Sequence, residues 1–479
     1  MSRVTTARED VRPDHPAPVG WEAHDAAVRR LVDSYNAIPG GSPVRLGKRT
    51  SNLFRPRSRT TTPGLDVSAL AGVVSVDVEG RAADVQGFCT YEDLVAVTLA
   101  HGMIPLVVPQ LRTITLGGAV TGLGIEATSF RNGLPHESVL EMDVLTGDGE
   151  VVTARPEGPT SDLFEAFPNS YGSLGYTTRI RIELEPVPGY VDLRHVRLGR
   201  LEDLPAMVET VIAERAWDGM RVDAMDGVVF EPSEAYLTLA TWREDPPSGA
   251  TSDYTGQDIF YRSIQSRRSD VLTMHDYLWR WDTDWFWCSR AFGAQHPLVR
   301  RVWPRRLRRS DVYHRLVGLE NRYAVMARID ARRGRPPRER VIQDVEIPLG
   351  RTPEFLRWFD EHVGMRPVWL CPLRLRERSG AESARRWPSY PLEPGTSYVN
   401  VGFWGTVPIP PGAADGDHNR AIERVVTELG GHKSLYSDAY YDRETFELLY
   451  GGANLARVKA HYDPGNRLTG LYEKAVRRR

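Results

Sequence analysis

The segment 111–130 reads LRTITLGGAVTGLGIEATSF, and it restricts the possible folds more than any other stretch of the chain. Gly117, Gly118, Gly122 and Gly124 fall within eight residues, and an acid, Glu126, follows at once. A Rossmann dinucleotide site needs a strand, a G-x-G-x-x-G turn and an amphipathic helix. The glycine spacing does not satisfy that turn, and no clear amphipathic pattern follows it, so a Rossmann site is unsupported. No G-x-x-x-x-G-K-[ST] occurs, which excludes a P-loop. Two readings remain. Backbone without Cβ atoms lets N–H groups approach an anionic ligand, or the segment is a run of plain turns.

A chain of 479 residues is too long for one small core, and two or three domains are expected. A net charge of −2 gives no broad basic field, so nucleic acid is not expected as a partner. Lysine occurs only at Lys48, Lys433, Lys459 and Lys474, against 57 arginines, a codon bias that suggests a high-GC bacterial source. Cys89, Cys288 and Cys371 are far apart, with no C-x-x-C spacing. They support neither a zinc site nor a disulfide framework, and they read as reduced thiols in a cytoplasmic protein. No metal site is expected. The first twenty residues are polar and charged, with no apolar core of a secretory signal. The most apolar window, 94–109, is broken by His101 and Gly102, and no run reaches the roughly 18 apolar residues of a spanning helix. The expectation is a cytoplasmic protein, soluble or at most peripheral to the inner membrane face.

Along the chain, residues 1–20 read as a disordered arm. Residues 73–85 read as a hairpin turning at Glu79-Gly80. Thr90 caps a helix running to His101. The stretch 139–154 is a hairpin whose Asp148-Gly149 supplies the positive φ of its turn. After Pro188 the texture changes. A strand at 191–197 precedes a helix at about 203–215, with Leu204, Met207, Val208, Val211 and Ile212 on one face. Strands at 222–230 and 235–242 follow. The same order recurs from 341: a strand, a helix opened by Thr352-Pro353, and two more strands. A further helix carries Ile422, Val425, Val426 and Leu429 inward and stops at Gly430. This predicts two strand-helix-strand-strand units forming a sheet with helices on one face.

Between the units lies an insert, 270–340. Its stretch LWRWDTDWFWCSRAFGAQHPLVRRVWPRRLRRS holds five of the twelve tryptophans, and six arginines fall within 298–309. Aromatic rings with arginines suit a peripheral membrane contact through 279–309. Equally, the insert reads as a solvated basic helix whose tryptophans pack on the neighbouring domain.

The order of these pieces carries a resemblance. RLGKRT, the 73–85 hairpin, a helix, GMIPLVVPQL, the glycine segment, LTGDGEVVTA, SDLFEAF and YGSLGY follow one another. The series resembles the FAD-binding domain of the vanillyl-alcohol-oxidase flavoproteins, of p-cresol-methylhydroxylase (PCMH) type. Within that superfamily the chain looks most like the Δ24-sterol reductases and their bacterial relatives, from about residue 45 onward. TLGGAVTGLGIE, QDVEIP (343–348), VWLCPL (368–373) and SLYSDAYYDRETF (434–446) carry that narrower likeness.

The resemblance implies an α+β fold: a PCMH-type two-subdomain FAD-binding fold with an α/β substrate (cap) domain. The FAD-binding domain would span 21–190 and the cap 191–430, and 431–479 would return to the flavin site. It implies FAD contacts from Thr115, Leu116, Gly117, Gly118, Ala119, Val120, Thr121, Gly122, Leu123, Gly124, Ile125, Glu126 and Ala127. Gly172, Ser173 and Gly175 would add further backbone contacts. Many family members attach flavin covalently through a histidine in the first phosphate loop. Here that region, VRLGKRTSNLFRPRS, has one glycine, Gly47, and no histidine, so non-covalent FAD is expected. Lys48 or Arg49 either faces the pyrophosphate or belongs to a solvated basic turn.

The resemblance further implies NADPH as co-substrate, and a reaction in which reduced flavin gives a hydride to an isolated carbon–carbon double bond of a lipid. Such an alkene accepts hydride readily only if one carbon is protonated, so the site needs an acid held protonated by burial or by a neighbouring anion. Glu126 is the first candidate, and Tyr436, Asp438 and Tyr440 are the others. The lipid is either a methylene-branched fatty acyl chain, acted on after a methyltransferase that would be a partner, or a sterol side chain. The same fold also hosts oxidases and dehydrogenases of alcohols or lipid-linked sugars, and this is the alternative activity.

Overall fold

The computed structural model describes residues 17–47, 54, 64–122, 124–323, 328, 332–377 and 384–477. The expectations placed on residues 1–16, Lys48, Arg49 and Leu123 lie outside these. Residues 17–20, read from sequence as part of a disordered arm, are ordered. Val19 and Gly20 donate to Val73 O and Val74 O. A helix the sequence pattern had not suggested follows, Trp21–Asn36, with His24, Ala27, Leu31 and Tyr35 buried at three- and four-residue spacing.

Strands β1 (Val73–Asp77), β2 (Ala82–Gln86), β3 (Met103–Pro105), β4 (Val139–Leu145), β5 (Val151–Ala154) and β6 (Tyr176–Pro186) form the first sheet. Its order is β1-β2-β6-β4-β5, with β3 also paired to β6. The 73–85 and 139–154 hairpins are present as β1–β2 and β4–β5. Helix Tyr91–Leu99 starts at Thr90, whose side chain accepts from Asp93 N. Between β3 and β4 the described residues make short turns of helix, Leu116–Thr121, Ser129–Asn132 and Pro135–Ser138.

The second sheet contains β7 (Tyr190–Leu198), β10 (Ala224–Glu231), β11 (Glu234–Arg243), β12 (Ser269–Thr273), β13 (Arg338–Pro348), β14 (Val368–Arg374), β15 (Ser397–Pro408) and β16 (His432–Lys433). A separate two-stranded ribbon, β8 (Ala216–Trp217) and β9 (Met220–Arg221), follows the first helix of this region. The large sheet is antiparallel, in the order β12-β7-β11-β10-β14-β15-β13-β16. This order expresses an internal repeat. β7, helix Leu204–Glu214, β10 and β11 recur as β13, helix Thr352–His362, β14 and β15, and the two units meet at β10–β14. One face buries Leu237, Leu239, Leu370, Val399, Val401, Val345 and Ile347 against Leu204, Val208, Phe355, Phe359, Ile422 and Val426 of three helices. Residues opposite on neighbouring strands share a face, so alternation frees the other face to meet the first domain.

The tryptophans of the insert bear on its two expected readings. Trp279, Trp281, Trp285 and Trp287 are all buried, so they pack in the core and cannot lie among lipid headgroups. Aromatic richness is shared by cores and membrane interfaces, so these four rings alone did not separate the two readings. Among the described residues no helix is long and apolar enough to cross a membrane.

Candidate active site

The glycine segment is held by its own backbone. Leu116 N donates to Cys89 O, Gly117 N to Gly87 O, Gly118 N to Thr115 Oγ1 and Ala119 N to Thr115 O. Those N–H groups are therefore engaged within the chain. The glycines serve close approach: a Cβ on Gly117 would stand 2.5 Å from Gly87 O, and one on Gly122 would stand 3.1 Å from the Tyr171 ring. Tyr171 N donates to Thr121 O, which fastens the loop 169–173 beside the segment. Lys474 Nζ, from the last helix, donates to Tyr171 O and Gly172 O at 3.1 and 2.8 Å.

Glu126 is buried at the end of this segment, where Ser129 Oγ accepts from its backbone N–H. Its Oε1 takes two bonds from Arg280, Nη1 and Nη2, each at 3.2 Å. Its Oε2 is buried with no hydrogen-bond partner among the described residues. Arg280 Nη2 also reaches Asp226 Oδ2 at 2.9 Å. The same oxygen accepts from Trp281 Nε1 at 2.7 Å and Trp369 Nε1 at 3.3 Å. One cation thus faces two carboxylates. Asp226 Oδ2 accepts from three side-chain donors, whereas the one side-chain donor to Glu126 among the described residues is Arg280, which it shares with Asp226. Burial raises the Glu126 carboxyl, Arg280 opposes that, Asp226 adds to it, and the group sits at about 7. The Arg280 guanidinium lies 4.0 Å from the centre of the Tyr277 ring, and Tyr277 OH is buried without a hydrogen-bond partner among the described residues.

Arg280 and Asp226 were missed by the sequence reading. Arg280 was seen only as part of an aromatic–arginine run. Asp226 sat in the strand-like run 222–230, where an acid reads as solvent-facing.

Asp226 belongs to a polar row that crosses the inner face of the large sheet. Cross-strand pairs join His195 to Thr238, Thr238 to Asp226, Cys371 to Asn400, Asn400 to Glu346 and Glu346 to His432. Gly227 pairs with Leu370, so antiparallel register sets Asp226 opposite Cys371. Glu346 Oε1 accepts from Ser434 Oγ at 2.8 Å and Tyr390 OH at 3.1 Å. Burial lifts its carboxyl to about 8.

Tyr436 comes to the same face. Its OH donates to Asp344 Oδ2 at 2.7 Å and accepts from Trp404 Nε1 at 2.9 Å. Burial pushes Asp344 to about 6. Trp369, Phe286 and Trp404 form an aromatic wall between the Asp226 and Tyr436 clusters, with ring centroids 4.4 to 6.3 Å apart. The other two sequence candidates point elsewhere. Asp438 faces Arg340 at 3.5 Å, and Tyr440 lies over Arg420 with its backbone N–H on Glu423.

The region fits a large polar cofactor. Asn169 Oδ1, Ser170 Oγ and Ser173 Oγ are buried beside the glycine segment, and Glu126 Oε2 at its end, all without partners among the described residues. Buried polar atoms of a folded chain are normally satisfied, so a cluster of orphans marks a place for a ligand's hydrogen-bonding groups.

Comparisons with known proteins agree. Residues 40–155 match the sequence family of the FAD binding domain. A Delta(24)-sterol reductase homolog of Caenorhabditis elegans is 23% identical over 432 residues, covering 85% of this chain and 78% of that protein. The Delta(24)-sterol reductase of Mus musculus is 23% identical over 416 residues, covering 85% and 76%. Cytokinin dehydrogenase 2 of rice is 39% identical over 115 residues, 24% of this chain and 20% of that one. An α+β fold built on an FAD binding domain, with similarity to these reductases along most of its length, makes the protein an FAD-binding oxidoreductase related to the Δ(24)-sterol reductases.

Proposed function

We propose that the protein reduces an isolated carbon–carbon double bond in a lipid, with NADPH as the electron donor. The substrate is a methylene-branched fatty acyl chain or a sterol side chain. Thr115 to Ala127, with Gly172, Ser173 and Gly175, would hold the FAD without a covalent bond. When bound and reduced, FAD supplies the hydride. The remaining tasks fall to the chain's own residues.

The observation that carries the reading is the half-paired Glu126. Burial raises its carboxyl to about 7, and one oxygen, Oε2, has no hydrogen-bond partner among the described residues. A carboxyl of this kind suits proton donation to one alkene carbon, which makes the other carbon an acceptor. Arg280 already stands against Oε1, so the carboxylate left behind is met by a fixed cation. Asp226, itself bonded by the indoles of Trp281 and Trp369, holds Arg280 in place. The aromatic wall gives an apolar lining suited to a lipid chain and excludes water from the proton transfer.

The match to cytokinin dehydrogenase supports the oxidase or dehydrogenase alternative, but it covers only part of the chain, whereas the reductases cover most of it. The test is anaerobic. NADPH should bleach the yellow protein, and a methylene-branched acyl lipid or an unsaturated sterol should restore the colour. Rapid reoxidation by oxygen with peroxide release, and none by any lipid alkene, would favour the alternative.

A further inference from the structure

The insert that supplies Arg280 also carries an outward-facing turn at 296–308. Three of the eight exposed large hydrophobic residues in the described chain lie on it: Leu298 (69% exposed), Val302 (79%) and Leu307 (38%). Leu298 and Val302 are four apart on the helix Pro297–Val302 and share a face, with Arg301 beside them. Arg305 and Arg306 flank Leu307, and all three of these arginines are exposed. Of the three, only Arg305 has an acid near it among the described residues, Asp253 at 3.7 Å.

The turn is built to hold this shape. Arg300 is buried and donates to Asp284 Oδ1, Tyr254 O, Gly256 O and Asp258 O. Arg308 is buried and donates to Thr255 O, Gly256 O, Arg300 O and Trp303 O. Trp303 Nε1 closes the turn on Leu307 O. Two of the arginines are thus structural, and three project with the apolar tips.

We infer that Leu298, Val302 and Leu307, with Arg301, Arg305 and Arg306, form a docking surface for an anionic lipid bilayer. Rigid apolar side chains enter the headgroup boundary while cations meet lipid phosphates. Charge favours a membrane over a second copy of the chain, because two such patches would oppose six arginines. The surface gives the proposed lipid reductase access to substrate in the bilayer, and in that respect it rests on that reading.

The experiment sediments the FAD-loaded full chain with vesicles of phosphatidylcholine alone or of phosphatidylcholine with phosphatidylglycerol. Binding is expected to the anionic vesicles only, and to be reversed by salt. R301E/R306E should weaken it more than 25-fold, from about fivefold for each lost arginine. L298S/V302S should lower it at every salt concentration, with the flavin spectrum unchanged in both variants. No binding by the wild-type chain, or equal binding by the variants, overturns the inference. So does self-association that depends on Leu298. Vesicle binding without reduction of any lipid alkene would leave the surface standing and count against the proposed reaction.

Discussion

Arg280 gives both of its terminal nitrogens to a single oxygen of Glu126, at 3.2 Å each, and the second oxygen of that carboxyl has no donor among the described residues. A bidentate pair would have used both oxygens and favoured the anion. Burial raises the Glu126 carboxyl to about 7 against the pull of Arg280, and Asp226 on the far side of the guanidinium adds to the rise.

Asp226→Asn removes a negative charge that raises Glu126. The Glu126 carboxyl should then lose its proton at lower pH. The rate of lipid-dependent flavin reoxidation, followed by stopped-flow absorbance, should fall away at lower pH than in the wild type. A profile that stays in place would remove Asp226 from the control of Glu126.

Arg280→Met leaves two buried carboxyls with no cation between them. Breaking one side of a buried ion network costs about 3–5 kcal/mol. Chemical denaturation should show a loss of that order, greater than for Arg194→Met at an exposed pair.

Stability should fall as pH rises from neutral. Glu126 and Glu137 sit at about 7 and Glu346 at about 8, each against 4.5 in an unfolded chain, and Asp344 at about 6 against 3.8. The folded protein holds these protons after the unfolded chain has released them. The stability they give is complete below the unfolded values and is lost as pH passes the folded ones. His136 and His432 act in the opposite sense. Burial holds both near 3 against 6.5, so their cost appears as pH drops below 6.5. Above 6.5 the carboxyls act alone. The unfolding midpoint should decline from there to about pH 8, and Glu346→Gln should flatten the upper part.

Tyr436→Phe takes a donor from Asp344 and an acceptor from Trp404. The orphaned groups should cost about 1–3 kcal/mol in stability. Lipid-dependent reoxidation should slow less than it does in Glu126→Gln. A loss as great as that of Glu126→Gln would make Tyr436 the proton donor.

Much of the fold was legible because its signals are local. The Thr90 cap, the Asp148-Gly149 turn and the apolar faces of the cap helices each depend on residues a few positions apart. The candidate site depends on distant ones. Arg280 lies 154 residues from Glu126, and a sequence pattern carries no trace of that contact. In β13, Asp344 and Glu346 alternate with Val345 and Ile347, which reads as a strand with one wet face. The structure buries that face, with Tyr436 on Asp344 and Tyr390 and Ser434 on Glu346, and its acids become candidate site residues. The tryptophans of the insert were ambiguous because the same rings serve both cores and membranes.

The central claim is that Glu126 donates the proton. The most direct test is single-turnover reoxidation of the NADPH-reduced protein by a lipid alkene, without oxygen, in wild type and Glu126→Gln across pH. The wild-type rate should be level below about pH 7 and fall tenfold per unit above it. Glu126→Gln, still yellow, should be slower by about 100-fold or more and independent of pH in that range. Equal rates, or the same pH profile in both proteins, would contradict the account.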